Sequence, residues 1–570
     1  MLFRNNNFKH KRKSYRQEYS YILKTFKHQL RFKNDFMGEK KYGYILTLVK
    51  YSFALFITLL ACTVNNSYIF ISIIELLIVA LVSNYAFRIS FLFANILNSI
   101  LFFLYIVEQL LMFFGGTYLT LVMLSNVESI GALSGKIPFY LLFIIPTILV
   151  LFIPITEIRV SSRSYHFILL ALAFFEISSL SLRLVDSSPF YNYFKITNDK
   201  ITQLSIHNRI KRSPNVTANF YHSEIKGAID KPDNLIEKPN IILILTEGLS
   251  QEVIDDSRSI MPNISNLQKE SLQFTNYYNH TFATYRGIIG QLYSGYQFEN
   301  YESNSLISIQ DILKNEGYHT EYINTEPANL TFSDYVKRLN FDEVTYKKGK
   351  RNGAADTLSD KEAYEFLYDE AKYYESLGEP FFITMYTFGT HATLDSPDKK
   401  FQDGKDAVLN KFYNLDFQFN KFIEKFNNSS LSSNTIIIFS SDHATYVESG
   451  YQSAFSSSPP RQNNSFGKVP FFIYHKGVFP LVVDANGRNS LDLVPTVLDY
   501  LDISVPNYFL GTSLFTQEIN TEFSTIYNSE LNVIQSEDNS IRWIDGNDKK
   551  EIMKQIEEYF MAQLQEPRIP

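Results

Sequence analysis

Cysteine is nearly absent from this sequence, and that absence removes two kinds of structure. The chain of 570 residues has one cysteine, Cys62, which lies in an apolar stretch. No disulfide can form within the chain, and no zinc site can be built from cysteines. Tryptophan is equally scarce, with Trp543 as the single example. The net charge of −6 is mild. It gives no indication of a nucleic-acid partner, and none is predicted.

Long apolar runs, by contrast, fill the first third of the chain. Each of five such segments approaches the ~20 residues that a helix needs to cross a bilayer. We therefore predict an N-terminal α-helical transmembrane bundle of five helices over residues 43–185. The five segments are 43–63, 67–87, 90–114, 138–156 and 165–185.

The distribution of lysine and arginine predicts the orientation of this bundle. The tail of residues 1–42 is rich in both. Loops that carry positive charge stay in the cytoplasm, so we predict a cytoplasmic basic tail. An odd number of spans then places the rest of the chain outside the cytoplasm. Arg88, Arg159 and Arg163 lie in loops on the side of the tail, and the loops of the opposite side carry only Lys136.

Composition changes after the last apolar segment. Residues 186–235 are predicted to form a juxtamembrane connector, either an amphipathic element on the membrane surface or a solvated linker. Over residues 236–570, strand-like runs alternate with helical patterns, which is typical of an α/β domain with a mainly parallel, doubly wound sheet. The predicted strands are Ile241–Leu245, Thr320–Ile323, Phe381–Tyr386, Thr435–Phe439 and Val469–Tyr474, and the predicted helices cover 304–316, 360–376 and 407–427.

Two of the predicted strands end in residues that can bind a metal. The run from Asn240 ends in Glu247, and the run from Thr435 ends in Asp442 with His443 beside it. Taken alone, either acidic residue is equally explained as a turn or helix-cap residue. Ligands of open α/β sheets sit beyond the carboxyl ends of the strands, so these side chains are expected at one edge. Oxygen and imidazole ligands together predict one divalent metal, zinc or manganese.

A nucleophile is expected between these two strands. Thr281 and Thr284 lie in the segment that follows Asn279. A threonine hydroxyl at the start of a helix can be activated by a metal, and the helix N-terminus favours the resulting anion. The alternative is that either threonine simply caps the helix. The residues alone leave Thr281 as a rival to Thr284.

Further short motifs occur in a fixed order. They are Glu247-Gly after a strand, Met261-Pro-Asn-Ile-Ser-Asn-Leu, Thr284 ten residues before Ser294-Gly295, Thr387-Phe-Gly-Thr-His391, Asp442-His443, Val469-Pro-Phe-Phe-Ile-Tyr with Leu491-Asp492-Leu-Val-Pro-Thr, and Gly511-Thr-Ser-Leu. In this order they resemble the alkaline-phosphatase-like, or sulfatase-like, superfamily over roughly 240–515. The resemblance is to its membrane-anchored branch of lipoteichoic acid synthases, phosphoglycerol transferases and phosphoethanolamine transferases.

The resemblance implies a role for each candidate residue. Thr284 would attack the phosphate of a phospholipid head group and become a phosphothreonine while diacylglycerol leaves, and an acceptor hydroxyl would then take the group. His391 would contact the phosphate or act as acid and base, and Arg286 would stabilise the charge of the phosphate. The ligands of one zinc or manganese ion would be Glu247, Thr284, Asp442 and His443.

The resemblance also implies partners and a location. The donor would be a membrane phospholipid and the acceptor a glycan or glycolipid of the cell envelope. The protein would be a multi-pass protein of the bacterial cytoplasmic membrane, with its catalytic domain outside the cytoplasm. Two alternatives stay open at this point: a sulfatase-like lipid sensor without catalytic activity, and a hydrolase that uses water as the acceptor.

The chain departs from parts of this family. No cysteine lies outside the apolar segments, which argues against a sulfatase and against the disulfide-rich phosphoethanolamine transferases. Lipoteichoic acid synthases contact glycerol phosphate through a Trp-x-Arg segment. The equivalent region, residues 329–342, has neither residue. This difference weakens the assignment to glycerol-phosphate polymers.

Overall fold

The computed structural model describes most of the chain, in two compact units. The described residues are 40–64, 69–125, 136–158, 161–181, 188–349, 356–456, 461, 464–516, 525–528, 532–537 and 540–568. One unit holds residues up to Phe113 together with Leu142–Asn192, and the other holds Phe114–Leu141 together with the chain from Tyr193. Residues 1–39 of the predicted cytoplasmic tail lie outside the described residues.

Apolar helices dominate the first unit. By length and composition, three helices of the described residues can cross a membrane, with the apolar stretches Tyr42–Val64, Ile69–Ala86 and Phe91–Gly115. The first of these helices begins at Lys40. They coincide with the first three predicted spans. The fourth and fifth predicted spans contain the shorter apolar helix Ile137–Leu151 and the helix Ser162–Ser181. The count of five spans and their orientation stay predictions.

An eight-stranded sheet forms the centre of the second unit. Its strand order is β4-β3-β5-β1-β6-β7-β2-β8. The five strands from β4 to β6 in this order are parallel, and β7 is antiparallel to both of its neighbours. The prediction of a mainly parallel sheet is confirmed. The strands are β1 Asn240–Thr246, β2 Leu272–Thr275, β3 His319–Ile323, β4 Glu343–Thr345, β5 Phe381–Thr387, β6 Thr435–Ser441, β7 Phe471–Tyr474 and β8 Leu481–Asp484.

Both faces of this sheet are covered, which confirms the doubly wound arrangement. Successive residues of a strand point to opposite faces. In β1, Ile241 and Leu243 pack into one hydrophobic core, whereas Ile242 and Ile244 pack into another. Because both faces are buried, the strand is apolar at nearly every position rather than alternating. This explains why its sequence shows a continuous apolar run.

Two of the longest helices that lie wholly in this unit begin at positions that local capping favours. Ser359 and Glu362 form a capping box at the helix Asp360–Leu377, and Asp406 accepts hydrogen bonds from two backbone N–H groups at the start of Ala407–Asn427. The other α-helices are Leu121–Ser125, Gln251–Ile254, Pro262–Lys269, Thr284–Tyr293, Ile309–Asn315, Leu330–Val336, Ser449–Ala454, Leu493–Tyr500 and Gly546–Gln563. Short 3-10 helices cover Thr217–Phe220, Ser430–Ser433 and Ser490–Asp492.

The predicted connector contains a long helix, Pro189–Ile210. Its last turns are not solvated on all sides, because Ile206 and Ile210 pack in one hydrophobic cluster with Tyr559 of the helix near the end of the chain. Arg209 adds a bidentate ion pair with Glu557, at 2.6 and 2.8 Å. A small antiparallel sheet precedes the helix of Tyr559 in the chain. Its strands are β9 Thr525–Asn528, β10 Asn532–Glu537 and β11 Ser540–Trp543.

Candidate active site

The ends of two neighbouring strands bring the predicted metal ligands together. β1 and β6 run parallel, and Thr246 is the register partner of Ser441. Glu247 and Asp442 therefore leave the sheet side by side, as the sequence predicted for the carboxyl ends of parallel strands. Glu247, Asp442 and His443 each offer a ligand atom, and these atoms lie within 4.8 Å of one another. We call these residues the acidic-histidine cluster.

The cluster is deeply buried and its geometry is tight. The Nε2 atom of His443 lies 3.5 Å from Oε1 of Glu247 and 3.5 Å from Oδ2 of Asp442. None of the three residues is more than 5% exposed. The Nδ1–H of His443 donates to the carbonyl oxygen of Ala444 at 2.8 Å. This leaves Nε2 facing the carboxylates, where it could bind a metal in place of its proton.

Backbone and side-chain groups hold the two carboxylates in place. Oδ1 of Asp442 accepts a hydrogen bond from the backbone N–H of Gly248 at 2.8 Å and another from the backbone N–H of His443 at 2.6 Å. The hydroxyl of Tyr386, at the end of β5, donates to Oε2 of Glu247. Outer hydrogen bonds of this kind orient metal ligands. Tyr386 was not among the residues predicted from the sequence.

The charges of the cluster fit a bound cation. Burial raises the pKa of Asp442 to about 7. Burial also opposes ionisation of Glu247, but a hydrogen bond and charge from His443 outweigh it and lower the pKa of Glu247 to about 2. Within the described residues, Oδ2 of Asp442 is buried without a hydrogen-bond partner. Two carboxylates and an imidazole around one point are a ligand set that a divalent metal can use.

The hydroxyl of Thr284 lies within hydrogen-bond distance of this cluster, and this contact distinguishes Thr284 from Thr281. Thr284 is the first residue of the helix Thr284–Tyr293, and its Oγ1 donates to Oε2 of Glu247 at 3.1 Å. The same oxygen lies 3.4 Å from Nε2 of His443. Ala283, not a threonine, occupies the N-cap position. The hydroxyl of Thr284 is therefore directed to the cluster rather than used as a helix cap.

A glycine allows the helix of Thr284 to come this close. A Cβ atom at Gly287 would overlap the carbonyl oxygen of Asp442 and would lie 2.9 Å from its carbonyl carbon. One turn later, the side chain of Gln291 donates to the backbone oxygen of Ser441 at 3.0 Å. The helix thus rests directly on the backbone at the end of β6.

Replacing Gly287 with alanine should separate Thr284 from the cluster. Forced overpacking of this kind costs about 1–3 kcal/mol of folding free energy. A displacement of about 1 Å can lower a catalytic rate about 100-fold. We expect a lower unfolding temperature and a loss of activity out of proportion to it. Gly227→Ala is the matched control, because its new Cβ would meet its neighbour at 3.6 Å. Unchanged activity in the Gly287→Ala protein would show that the close approach is unimportant.

His391 lies beyond the next strand end. It follows β5, its Nδ1 is 2.9 Å from the hydroxyl of Thr393, and its ring stacks on Phe388. Burial lowers the pKa of His391. Its backbone oxygen accepts a hydrogen bond from the buried Lys411 at 3.4 Å. Arg286 is buried in the helix of Thr284, at 1% exposure. The substrate-binding roles of His391 and Arg286 stay predictions.

The sequence interpretation missed a third carboxylate in this region. Glu326 follows β3 by three residues and is 4% exposed. β3 is the parallel neighbour of β5, so Glu326 lies on the same edge of the sheet as Glu247. The signal was present in the sequence, because an acidic residue follows a predicted strand here as well. The order of the strands, which sequence does not give, is needed to place it beside the cluster.

The comparisons with known proteins agree with this architecture. Residues 239–503 match the family model described as Sulfatase. Lipoteichoic acid synthase-like YvgJ of Bacillus subtilis is 24% identical over 352 residues, which are 53% of this chain and 55% of that protein. Phosphoglycerol transferase I of Escherichia fergusonii is 25% identical over 386 residues, which are 62% of this chain and 47% of that protein. The chain thus spans about half the length of these two curated relatives.

A solved structure is also similar. The crystal structure of the lipoteichoic acid synthase LtaP from Listeria monocytogenes has a TM-score of 0.48 and 16% identity, and the similarity covers 59% of this chain and 94% of that chain. The similarity to this family lies in residues 239–503. These residues match the family model described as Sulfatase, and they contain the mostly parallel sheet described above.

Proposed function

We propose that this protein is a metal-dependent transferase for phospholipid head groups. It would take a phosphate-linked head group, phosphoglycerol or phosphoethanolamine, from a membrane phospholipid and pass it to a glycan or glycolipid of the cell envelope. The observation that carries this proposal is the position of the Thr284 hydroxyl, which bonds to Glu247 inside the acidic-histidine cluster. The similarity to a lipoteichoic acid synthase-like protein and to a phosphoglycerol transferase supports the reaction class.

The proposed residues divide the reaction into two displacements. A zinc or manganese ion held by Glu247, Asp442, His443 and Thr284 would neutralise charge on the phosphate and on the threonine oxygen. In the first displacement, Oγ1 of Thr284 forms a bond to phosphorus as the bond from phosphorus to the diacylglycerol oxygen breaks. The proton of the threonine ends on diacylglycerol, and Thr284 holds the head group as a phosphothreonine.

The second displacement transfers the head group from Thr284 to the acceptor. An acceptor hydroxyl forms a bond to phosphorus, and the bond to Oγ1 of Thr284 breaks. His391 would take the proton of the acceptor, because a lowered pKa keeps its imidazole neutral and able to act as a base. The proton then returns to the threonine. Arg286 would add positive charge near the phosphate.

The location of the protein follows the same proposal. The apolar helices of the described residues would anchor the domain at the lipid surface where the donor lies. The distribution of lysine and arginine places the domain outside the cytoplasm, with the N-terminus inside, in a bacterial cytoplasmic membrane. Envelope glycans are found on that side.

Head-group release distinguishes this function from its alternatives. Metal-loaded wild-type protein in detergent is mixed with phosphatidylglycerol or phosphatidylethanolamine that carries a fluorescent acyl chain. A transferase releases fluorescent diacylglycerol and leaves the head group on an added envelope glycolipid. A hydrolase releases the same diacylglycerol but leaves the head-group phosphate free in solution. A folded protein that binds no metal when zinc and manganese are supplied, and that cleaves neither lipid, would support the sensor alternative and contradict the proposed function.

A further inference from the structure

Glu326 is a buried carboxylate beside the proposed reaction centre, and the proposed mechanism does not use it. It stands at the carboxyl end of β3, and the hydroxyl of Thr325 beside it donates to the backbone oxygen of Tyr386 at 2.8 Å. Tyr386 in turn donates to Glu247. The backbone N–H of Glu326 donates to the side chain of Asn324 at 2.9 Å. The position of Glu326 is thus fixed on the Glu247 side of the acidic-histidine cluster.

The side chain of Glu326 is only partly satisfied. Its Oε2 accepts a hydrogen bond from the hydroxyl of Tyr285 at 3.4 Å, and Tyr285 is the residue after Thr284. Asn329 supports this arrangement by donating to the hydroxyl of Tyr285 at 2.5 Å. Among the described residues, Oε1 of Glu326 has no hydrogen-bond partner although it is buried. A buried carboxylate oxygen without a partner is costly, so Oε1 is available to a donor on a ligand.

The residues around Glu326 supply no donor to its Oε1 within the described part of the chain. Burial raises the pKa of Glu326 to about 8, and an ion pair with a cationic ligand would lower this pKa again. The neighbouring Tyr285 and Asn329 are neutral. Within the described residues, the group that could hold a metal is made of Glu247, Asp442 and His443, and Glu326 stands outside it. The donor for Oε1 is therefore expected on the substrate.

We propose that Glu326 binds the ammonium group of an ethanolamine head group, so that the donor is a zwitterionic aminophospholipid. This inference rests on the proposed function and selects one of its two head groups. The ammonium supplies several N–H donors and a positive charge, which an ionised carboxylate accepts strongly. Ethanolamine is short, so its ammonium must be bound close to the phosphate. Glu326 is near enough for this role, because it hydrogen-bonds to Tyr285, the neighbour of Thr284. A serine head group would bring a carboxylate that Glu326 repels.

The test compares donors and one isosteric variant. Full-length, metal-loaded protein is given phosphatidylethanolamine, phosphatidylglycerol or phosphatidylserine with identical fluorescent acyl chains, and release of diacylglycerol is followed. We expect the wild type to prefer phosphatidylethanolamine over both other lipids. Glu326→Gln should lower kcat/KM for phosphatidylethanolamine about 10- to 100-fold, because the carboxylate charge that pairs with the ammonium is lost and one acceptor oxygen becomes an NH2 group. Much of this loss should appear in KM. Cleavage of phosphatidylglycerol should change little.

A second buried carboxylate provides the matched control. Glu321 in β3 is 0% exposed, and burial raises its pKa to about 8 as well. Its carboxylate accepts a hydrogen bond from the hydroxyl of Thr345. The negative charges that act on its pKa are those of Glu370 and Glu343 rather than those of the acidic-histidine cluster. Glu321→Gln should therefore keep the donor preference. Metal content and unfolding temperature are measured for both variants.

Each outcome decides the inference. Preference of the wild type for phosphatidylglycerol, or unchanged cleavage of phosphatidylethanolamine by the Glu326→Gln protein, would overturn the role of Glu326 and leave the proposed function standing. Cleavage of none of the lipids by folded, metal-loaded protein would overturn the proposed function itself. If the Glu326→Gln protein fails to fold, the donor preference of the wild type still decides.

Discussion

Replacing Thr284 with alanine should abolish release of diacylglycerol while the protein stays folded. The hydroxyl of Thr284 is 3.1 Å from a carboxylate oxygen of Glu247 and is half-buried, so a substrate can reach it. Removing the nucleophile of a covalent mechanism typically lowers kcat by at least about a thousandfold. The measurement is diacylglycerol release from the fluorescent donor, together with the unfolding temperature.

Two further variants test whether the loss of activity is specific to position 284 and to its hydroxyl. Thr281→Ala is the matched control, because Thr281 is also buried in this segment but the described contacts do not bring its hydroxyl to the cluster. It should retain activity. Thr284→Ser keeps a hydroxyl at the start of the helix and should retain part of the activity. Full activity in the Thr284→Ala protein would contradict the mechanism, and loss of activity in the Thr281→Ala protein alone would move the nucleophile to Thr281.

Removing the divalent metal should abolish activity and also lower stability. Without a cation, the buried carboxylates of Glu247 and Asp442 face each other across the cluster with His443 as their counter-charge. A metal at about a hundredfold excess over its Kd stabilises the folded state by about 2.7 kcal/mol. For a domain of more than 300 residues, that corresponds to a fall in Tm of roughly 4 °C on chelation. Manganese or zinc should restore both activity and Tm.

A ligand variant shows whether the chelator acts at this cluster. Asp442→Asn removes one charge and should already have lost most of its metal, so a chelator should leave its Tm unchanged. Metal analysis of the wild type should give one divalent ion per chain. Wild-type protein that is fully active when free of metal would contradict the account. An equal fall in Tm for the wild type and the Asp442→Asn protein would place the metal elsewhere.

The residues of the acidic-histidine cluster could be placed together from sequence because β1 and β6 are central strands. Both faces of these strands are buried, so each run is almost wholly apolar and its end is marked by the first charged residue, Glu247 or Asp442. Such a pattern predicts both the strand and the position of the charged residue that follows it. The choice of Thr284 over Thr281 required the family resemblance, since the argument from the start of a helix fitted both threonines.

The rest of the site depends on contacts that local sequence does not encode. Glu326 matters because β3 lies beside β5, and strand order is set by packing across the whole sheet. Gly287 is one glycine among many until the backbone of Asp442 is seen against it. β2, β4 and β8 were not predicted because they are edge or near-edge strands of three or four residues, too short to show an apolar pattern.

The central claim is that Thr284 carries the head group during transfer, and mass spectrometry tests it most directly. Metal-loaded protein is mixed with the lipid donor in the absence of acceptor, stopped with acid at early times and digested. The account predicts that the peptide containing Thr284 gains the mass of a phosphate-linked head group, and that fragmentation places the added mass on Thr284. Rapid release of diacylglycerol with no modified peptide, or with the added mass on another residue, would contradict it.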